Sequence, residues 1–258
     1  KEFLCAWTNS VSTKTEKVAE CVEEINRLQI PIYLGKYNDC SSDCKVYKDG
    51  IMMGTKTIKY CNGELANELM NLPIINSFIE MLDNISKTSV NARQLNALIG
   101  LNFFSDFGNN KKLLHIVDLY NGIKVKPKGA KSPKTILPAL RTCNQIKKDK
   151  ISQYEKYGVT EYIIEKYSDK NTPKQYSQID NKGMLNELAL CIPDDSLSAI
   201  NQVKFDMEYL QYTTYKNENF SDDYYIVTNY KTYKDETKPS FTLRNLNSGN
   251  EIKTRITS

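Results

Sequence analysis

The segment Gly54 to Ala66, GTKTIKYCNGELA, sets two lysines, a Tyr-Cys-Asn-Gly turn and the start of a helical pattern side by side. Lys56 and Lys59 supply positive charge, with Tyr60 next to them. Asn62 and Gly63 are residue types that tolerate a left-handed backbone in a tight turn. A helix starting there aims unpaired backbone N–H groups, and the positive end of its dipole, at any anion above the turn. These are the parts of a helix-hairpin-helix, which grips nucleic-acid phosphates without reading bases. The same residues also suit a plain helix-capping turn. A second candidate runs from Ser89 to Lys112: a helix led by Asn91 and carrying Arg93, an apolar Gly100-Leu101-Asn102-Phe103-Phe104 element, then a turn with Asn109, Lys111 and Lys112. Those polar residues could face a nucleic-acid backbone, or the stretch could serve packing alone.

Other constellations offer less chemistry. Cys40 and Cys44 form an isolated CxxxC, and the one histidine, His115, is distant in sequence. A zinc site wants four tetrahedral ligands, so no metal site is assigned. Asp194-Asp195 and Asp222-Asp223 are adjacent pairs whose side chains diverge, suited to a cap and a turn. No Walker-type loop is present, and a single histidine leaves little for acid–base catalysis. The seven scattered cysteines, an odd number without framework spacing, fit a reducing compartment. No apolar run approaches the ~18 residues of a membrane span, so a cytoplasmic location with no membrane partner is expected.

The net charge of +4 is mild, but its distribution is uneven. Lys124, Lys126, Lys128, Lys131, Lys134, Arg141, Lys147, Lys148 and Lys150 face the single acid Asp149 across residues 121–150. Such a segment is drawn to a polyanion, or is a solvated linker. Its first part, 121–135, has the Pro/Gly/Lys composition of a linker.

The elements that must position these residues follow from periodicity. Val18, Cys21, Val22, Ile25 and Leu28 lie on one face of a helix over 13–28. Residues 30–34 read as a strand, and 44–53 as a hairpin turning at Asp49-Gly50. Helical patterns cover 64–70, 74–85, 91–101, 111–119, 136–167, 184–191 and 196–210, with an irregular stretch over 168–181. The tail is different in kind: strands over 224–228, 240–244 and 251–256, with an Asn247-Ser248-Gly249-Asn250 turn. The expected class is α+β: a small α/β unit with the first hairpin over 1–85, a helical region over 86–200, and a β domain over 201–258.

The order of Glu2-Phe3-Leu4-Cys5-Ala6-Trp7-Thr8-Asn9-Ser10, the amphipathic KVAECVEEINRLQIPIYLG and the basic hairpin resembles the distal fingers of C-family replicative DNA polymerases, the DNA polymerase III alpha subunits. The resemblance extends over 1–120 and 200–258 and lapses between them. It implies tandem helix-hairpin-helix elements binding double-stranded primer-template DNA through Lys56, Lys59, Tyr60, Asn62, Gly63, Arg93, Asn109, Lys111 and Lys112. It also implies that Lys204 to Tyr212 leads into an incomplete OB-like fold. There Tyr224, Tyr225, Tyr230, Tyr233 and Phe241, with Lys231, Lys234 and Arg244, would suit single-stranded template. Gln202-Val203-Lys204-Phe205-Asp206 is similar to the family's sliding-clamp peptide, or else is core packing. The family's metal-binding aspartates lie in the palm, upstream of Lys1. The chain is therefore expected to hold no Mg²⁺ and no catalytic carboxylates, and to be the DNA-gripping portion of a nucleotidyltransferase of DNA replication. The alternative is a stand-alone DNA-binding or clamp/replisome adaptor built on the same scaffold. An independent enzyme such as a nuclease has no residue set behind it.

Overall fold

The computed structural model describes residues 1–124, 181–232 and 239–255. The helix expected over 136–167, the irregular stretch 168–180 and all of the linker beyond Lys124 lie outside the described residues. The class is α+β, as the periodicities indicate. The described elements are α1 (Glu2–Ser10), α2 (Thr15–Arg27), β1 (Ile32–Leu34), β2 (Lys45–Tyr47), β3 (Gly50–Met53), a 3-10 turn (Thr55–Thr57), α3 (Gly63–Met70), α4 (Phe78–Ile85), α5 (Ala92–Gly100), α6 (Asn110–Lys124), α7 (Asn181–Cys191), α8 (Ala199–Tyr209), β4 (Tyr225–Lys231), β5 (Ser240–Asn245) and β6 (Glu251–Arg255). A further 3-10 turn spans Ser105–Phe107. No described helix is long and apolar enough to cross a membrane.

The chain divides into two compact units, each assembled from separate stretches. The first comprises Lys1–Leu72, Val90–Phe103 and Leu197–Ser258. In it, α2 buries Val18, Cys21, Val22 and Ile25, the stripe that its 3.6-residue spacing requires. Its neighbour α1 buries Leu4, Cys5 and Thr8, and the Thr8 hydroxyl donates back to the Leu4 carbonyl at 2.8 Å. Next to these helices lies a three-stranded sheet ordered β1-β3-β2. β3 runs parallel to β1 and antiparallel to β2, and is buried along its whole length as a central strand should be.

Helices α5 and α8 complete the helical part of this unit. They meet at Gly100, where an added Cβ would overlap the Phe205 ring; glycine there lets the two elements approach. Gln202 seals the contact, donating to the Gly100 carbonyl at 3.0 Å and to the Asp206 carboxylate at 2.8 Å. The tail is an open antiparallel meander, β4-β5-β6, with a register shift between Val227 and Asn229. Among the described residues there is no closed barrel.

The second unit comprises Pro73–Ser89 and Phe104–Ser196. Ser77 caps α4 by accepting from the Glu80 N–H, a contact worth about 1 kcal/mol. Phe78 then packs on Phe104 and Phe107, with ring centroids 5.8 and 6.0 Å away. The Tyr120 hydroxyl donates to Asp83 at 2.7 Å and ties α6 to α4. Helix α6 continues through Asn121–Lys124, so the helix claims the residues with which the linker was expected to begin.

Candidate nucleic-acid interface

The chain leaves the buried strand β3 through Gly54 and makes one 3-10 turn, closed by the Thr57 hydroxyl on the Gly54 carbonyl at 2.7 Å. Buried Ile58 pins the next residues to the core. The Lys59 N–H donates to the Tyr209 carbonyl at the end of α8, 2.8 Å away. Tyr60 follows with φ of +70°, and its carbonyl accepts from the Gln94 side chain of α5 at 3.0 Å. Both α5 and α8 therefore hold the Lys59–Tyr60 turn.

This differs from the helix-hairpin-helix read from the sequence. A buried strand and a single 3-10 turn, not an α-helix, precede the hairpin. The left-handed residue is Tyr60, while Asn62 is extended at φ −118° and ψ 179°. Asn62 has a better use: its side chain caps α3 by accepting from the Leu65 N–H at 3.1 Å. Gly63 opens α3, and a Cβ there would meet the movable ends of two side chains, 2.7 Å from Lys56 Cε and 2.8 Å from Ser42 Oγ. The positive end of α3 thus already faces the Asn62 oxygen and the Glu64 carboxylate of its first turn. Lys56 is paired with Asp43 at 2.9 Å.

Uncommitted charge in the first unit lies next to Tyr60. Lys59 Nζ sits 5.2 Å from the Tyr60 ring centroid, and Arg93 Cζ sits 4.5 Å from it. Neither cation makes an ion pair with a described acid. The edge of Tyr60 meets Tyr209 at 6.3 Å and an interplanar angle of 76°. Tyr60 keeps 44% of its surface exposed, and Arg93 is exposed in the first turn of α5. That turn is rigid because Asn91 and Gln94 form a reciprocal capping box. One tyrosine ring thus gathers a lysine and an arginine far apart in sequence. Gln94 and Tyr209 are the positioning residues that sequence reading missed. The Asn-x-x-Gln spacing of a capping box was a signal for Gln94; Tyr209 had none.

Asn109, Lys111 and Lys112 belong to the second unit, so the structure does not gather all the predicted residues into one site. The polar groups of Asn109 and Lys111 are committed locally, whereas the Lys112 ammonium makes no ion pair with a described acid. The Asn109 N–H donates to the Asp194 carboxylate at 2.8 Å and its side-chain amide to the Asp194 carbonyl at 3.0 Å. Lys111 pairs with Asp195 at 3.2 Å, and the Lys112 N–H donates to the Asp195 carbonyl. Asp194 thus holds the residue just before α6, while the helix that follows it in the chain, α8, is capped by Ser198, which accepts from the Asn201 N–H.

The remaining candidates have structural occupations. Cys40 and Cys44 are buried, and burial pushes both thiols up to about 11. Cys44 Sγ accepts from the Gly54 N–H at 3.4 Å. Among the described residues, no group of three or more His, Cys, Asp or Glu could hold a metal ion. Within the segment resembling a clamp peptide, Gln202 is buried in the α5–α8 contact and Phe205 covers Gly100. Asp206 is buried as well; desolvation raises its carboxyl above the usual range, opposed by hydrogen bonds from Thr213 and Gln202.

In the tail, pairing places Tyr225, Tyr230 and Phe241 on one face of the sheet and Lys231 and Arg244 on the other. Tyr233 and Lys234 lie outside the described residues, and Tyr224 precedes the strand. Stacking aromatics and phosphate-binding cations are therefore separated by the period-2 alternation. Arg244 is largely buried and serves the fold: it donates to the Tyr215 carbonyl at 3.2 Å and lies 3.5 Å from Glu251.

No protein-family model and no curated relative matches this chain. Its function is read from its own residues.

Proposed function

We propose that this chain is a DNA-gripping part of a replicative polymerase of the kind its sequence resembles, the DNA polymerase III alpha subunits, and that it holds primer-template through phosphate contacts at Lys59 and Arg93. The observation that carries the reading is the Tyr60 ring with two unneutralised cations against it. Both cations lie within 5.2 Å of one ring centroid, so their like charges repel, and a phosphate between them reverses the sign. Cation–π contact, worth ~0.5–1 kcal/mol at exposed sites, keeps both side chains in place and lowers the ordering cost of binding. Hydrogen bonds from Lys59 and Arg93 to phosphate oxygens carry no base information, as suits an element that must accept any template.

Duplex binding measured by fluorescence anisotropy over a salt series tests this. Replacing both Lys59 and Arg93 by alanine removes two phosphate contacts, so the slope of log K against log salt should become shallower by about 2. Lys48→Ala, at a turn elsewhere in the first unit, should leave the slope unchanged. An unaltered slope in the double variant would remove this site from the account. With primer-template, deoxynucleotides and Mg²⁺, the chain by itself is expected to give no extension, and extension would sink the assignment as a gripping portion.

A further inference from the structure

The β4-β5-β6 sheet is inside out relative to its own unit. Strand pairing and the α2-side cleft fix which residues share a face. Thr228, Lys231, Ser240, Thr242, Arg244, Glu251 and Lys253 line a cleft of about 240 Å³ together with residues of α2 such as Glu23 and Asn26. Lys253 crosses toward α2 to pair with Glu23 at 3.6 Å. The polar face therefore looks toward the helices. The other face carries Val227, Leu243 and Ile252 in register across the three strands, and Tyr230 and Phe241 in the next row with ring centroids 5.4 Å apart. Val227 is 52% exposed, Tyr230 56% and Ile252 48%. A half-buried antiparallel sheet normally turns its apolar face to the core and its polar face to water.

We infer that this outer face is a self-association surface, taking the same face of a second copy of the chain in a two-fold stack of two sheets. The pattern of charge selects this occupant. In a two-fold contact every residue meets a surface of its own kind, so a charged face opposes itself. Among the described residues this face carries no Lys, Arg, His, Asp or Glu; it presents Tyr225, Val227, Tyr230, Phe241, Leu243, Ile252 and Thr254. The same lack of cations disfavours a nucleic-acid strand, which needs phosphate partners beside its stacking rings. Extension along either sheet edge is also disfavoured, since β6 places the charged Glu251, Lys253 and Arg255 along one edge and the register shift between Val227 and Asn229 interrupts β4 at the other. The exposed face measures roughly 15 by 17 Å from strand spacing and rise. Two such faces with their protruding side chains bury on the order of 1,000 Å², the lower end for a specific interface. The dimer should therefore be weak and concentration-dependent. This inference is independent of the DNA reading.

Sedimentation velocity of the chain over roughly 1 to 300 µM should show a reversible monomer–dimer shift with a midpoint in the micromolar range. Val227→Asp, at a half-exposed position, should weaken dimerisation by more than about tenfold by burying an unpaired charge in the stack. Hydroxyl-radical footprinting of the unaltered chain provides a readout that needs no variant: Tyr230 should become protected as concentration rises. A monomer at every concentration with Tyr230 labelled throughout would overturn the inference. So would a dimer that Val227→Asp leaves intact, or Tyr230 protection that responds only to added oligothymidylate.

Discussion

Gly100→Ala tests how tightly α5 and α8 cross at the Gly100–Phe205 contact. In an ordinary exposed helix, Gly→Ala gains about 1 kcal/mol through backbone entropy. At position 100 the new methyl would overlap Cδ1 and Cε1 of Phe205 and lie 2.7 Å from its Cζ. These ring atoms cannot retreat freely, because the ring also packs on Tyr209 with centroids 5.1 Å apart. Overpacking of this kind costs about 1–3 kcal/mol, more where the backbone must shift. The overlap here is with several atoms of a rigid ring, so the cost belongs at the upper end. The net effect should be about 2 kcal/mol destabilising after the propensity gain. At roughly 2–4 °C per kcal/mol for a chain of this size, Tm should fall by about 4–8 °C.

The assay is urea and thermal unfolding followed by Trp7 fluorescence, since the only tryptophan lies in the same unit. Phe205→Ala provides the decisive comparison. If the clash is real, Phe205→Ala should cost at least about 1 kcal/mol less in the Gly100→Ala background than alone. A neutral or stabilising Gly100→Ala, or additive effects of the two substitutions, would refute the reasoning. The crossing also supports Tyr209, whose carbonyl and ring hold Lys59 and Tyr60. Gly100→Ala should accordingly weaken duplex binding severalfold even at temperatures where the unit is folded.

Two further outcomes are expected. The Tyr212 hydroxyl is buried with no hydrogen-bond partner among the described residues, so Tyr212→Phe should stabilise the chain by about 1 kcal/mol or more in urea unfolding; destabilisation would mean that the hydroxyl is satisfied. Burial raises the Cys40 and Cys44 thiols to about 11 and Cys61 to about 12, from an ordinary value near 9.0. Between pH 9 and 11–12 the unfolded chain loses these protons while the folded chain keeps them, so stability is full below 9 and falls through that window. Cys40→Ala should make the decline shallower, and a pH-independent stability from 9 to 11 would contradict the assignment.

Legibility in the sequence followed the physics of each element. The α2 stripe could be read because its apolar residues repeat at the helical period, and the β2–β3 hairpin because Asp49-Gly50 marks a turn between two short extended runs. Helix α1 could not, since Leu4, Cys5 and Thr8 are buried while Phe3 and Ala6 are exposed, and so short a run shows no clean stripe. The hairpin sequence leaves two readings open, because asparagine serves both left-handed turns and helix caps. Asn62 followed by Gly63-Glu64-Leu65 has the layout of a cap with an acid in the first turn, and the structure uses it so. A tyrosine at φ +70° has no sequence signature, because tertiary hydrogen bonds from Gln94 and to Tyr209 hold the turn around it. In the tail, alternation located the strands, but which face lies inward depends on what the sheet packs against, and no local pattern encodes that.

Composition counts lysines alike, whereas binding depends on which of them are already spent. Lys59 and Arg93 make no ion pair with a described acid, while Lys56 is held by Asp43 at 2.9 Å and Lys111 by Asp195 at 3.2 Å. Both pairs are partly exposed, so each is worth only ~0–1 kcal/mol. A phosphate arriving at the Tyr60 turn can therefore recruit Lys56 at small cost, and Asp43 acts as a weak competitor for it. Asp43→Asn should raise duplex affinity by about two- to fivefold at low salt, with the gain fading as salt rises. Asp195→Asn frees Lys111 in the second unit and should leave affinity unchanged if the grip lies at Lys59 and Arg93. Binding isotherms of the two variants at two salt concentrations separate these cases. Equal gains from both substitutions would show that the duplex responds to net charge alone, and would undo the claim that Tyr60 organises a site.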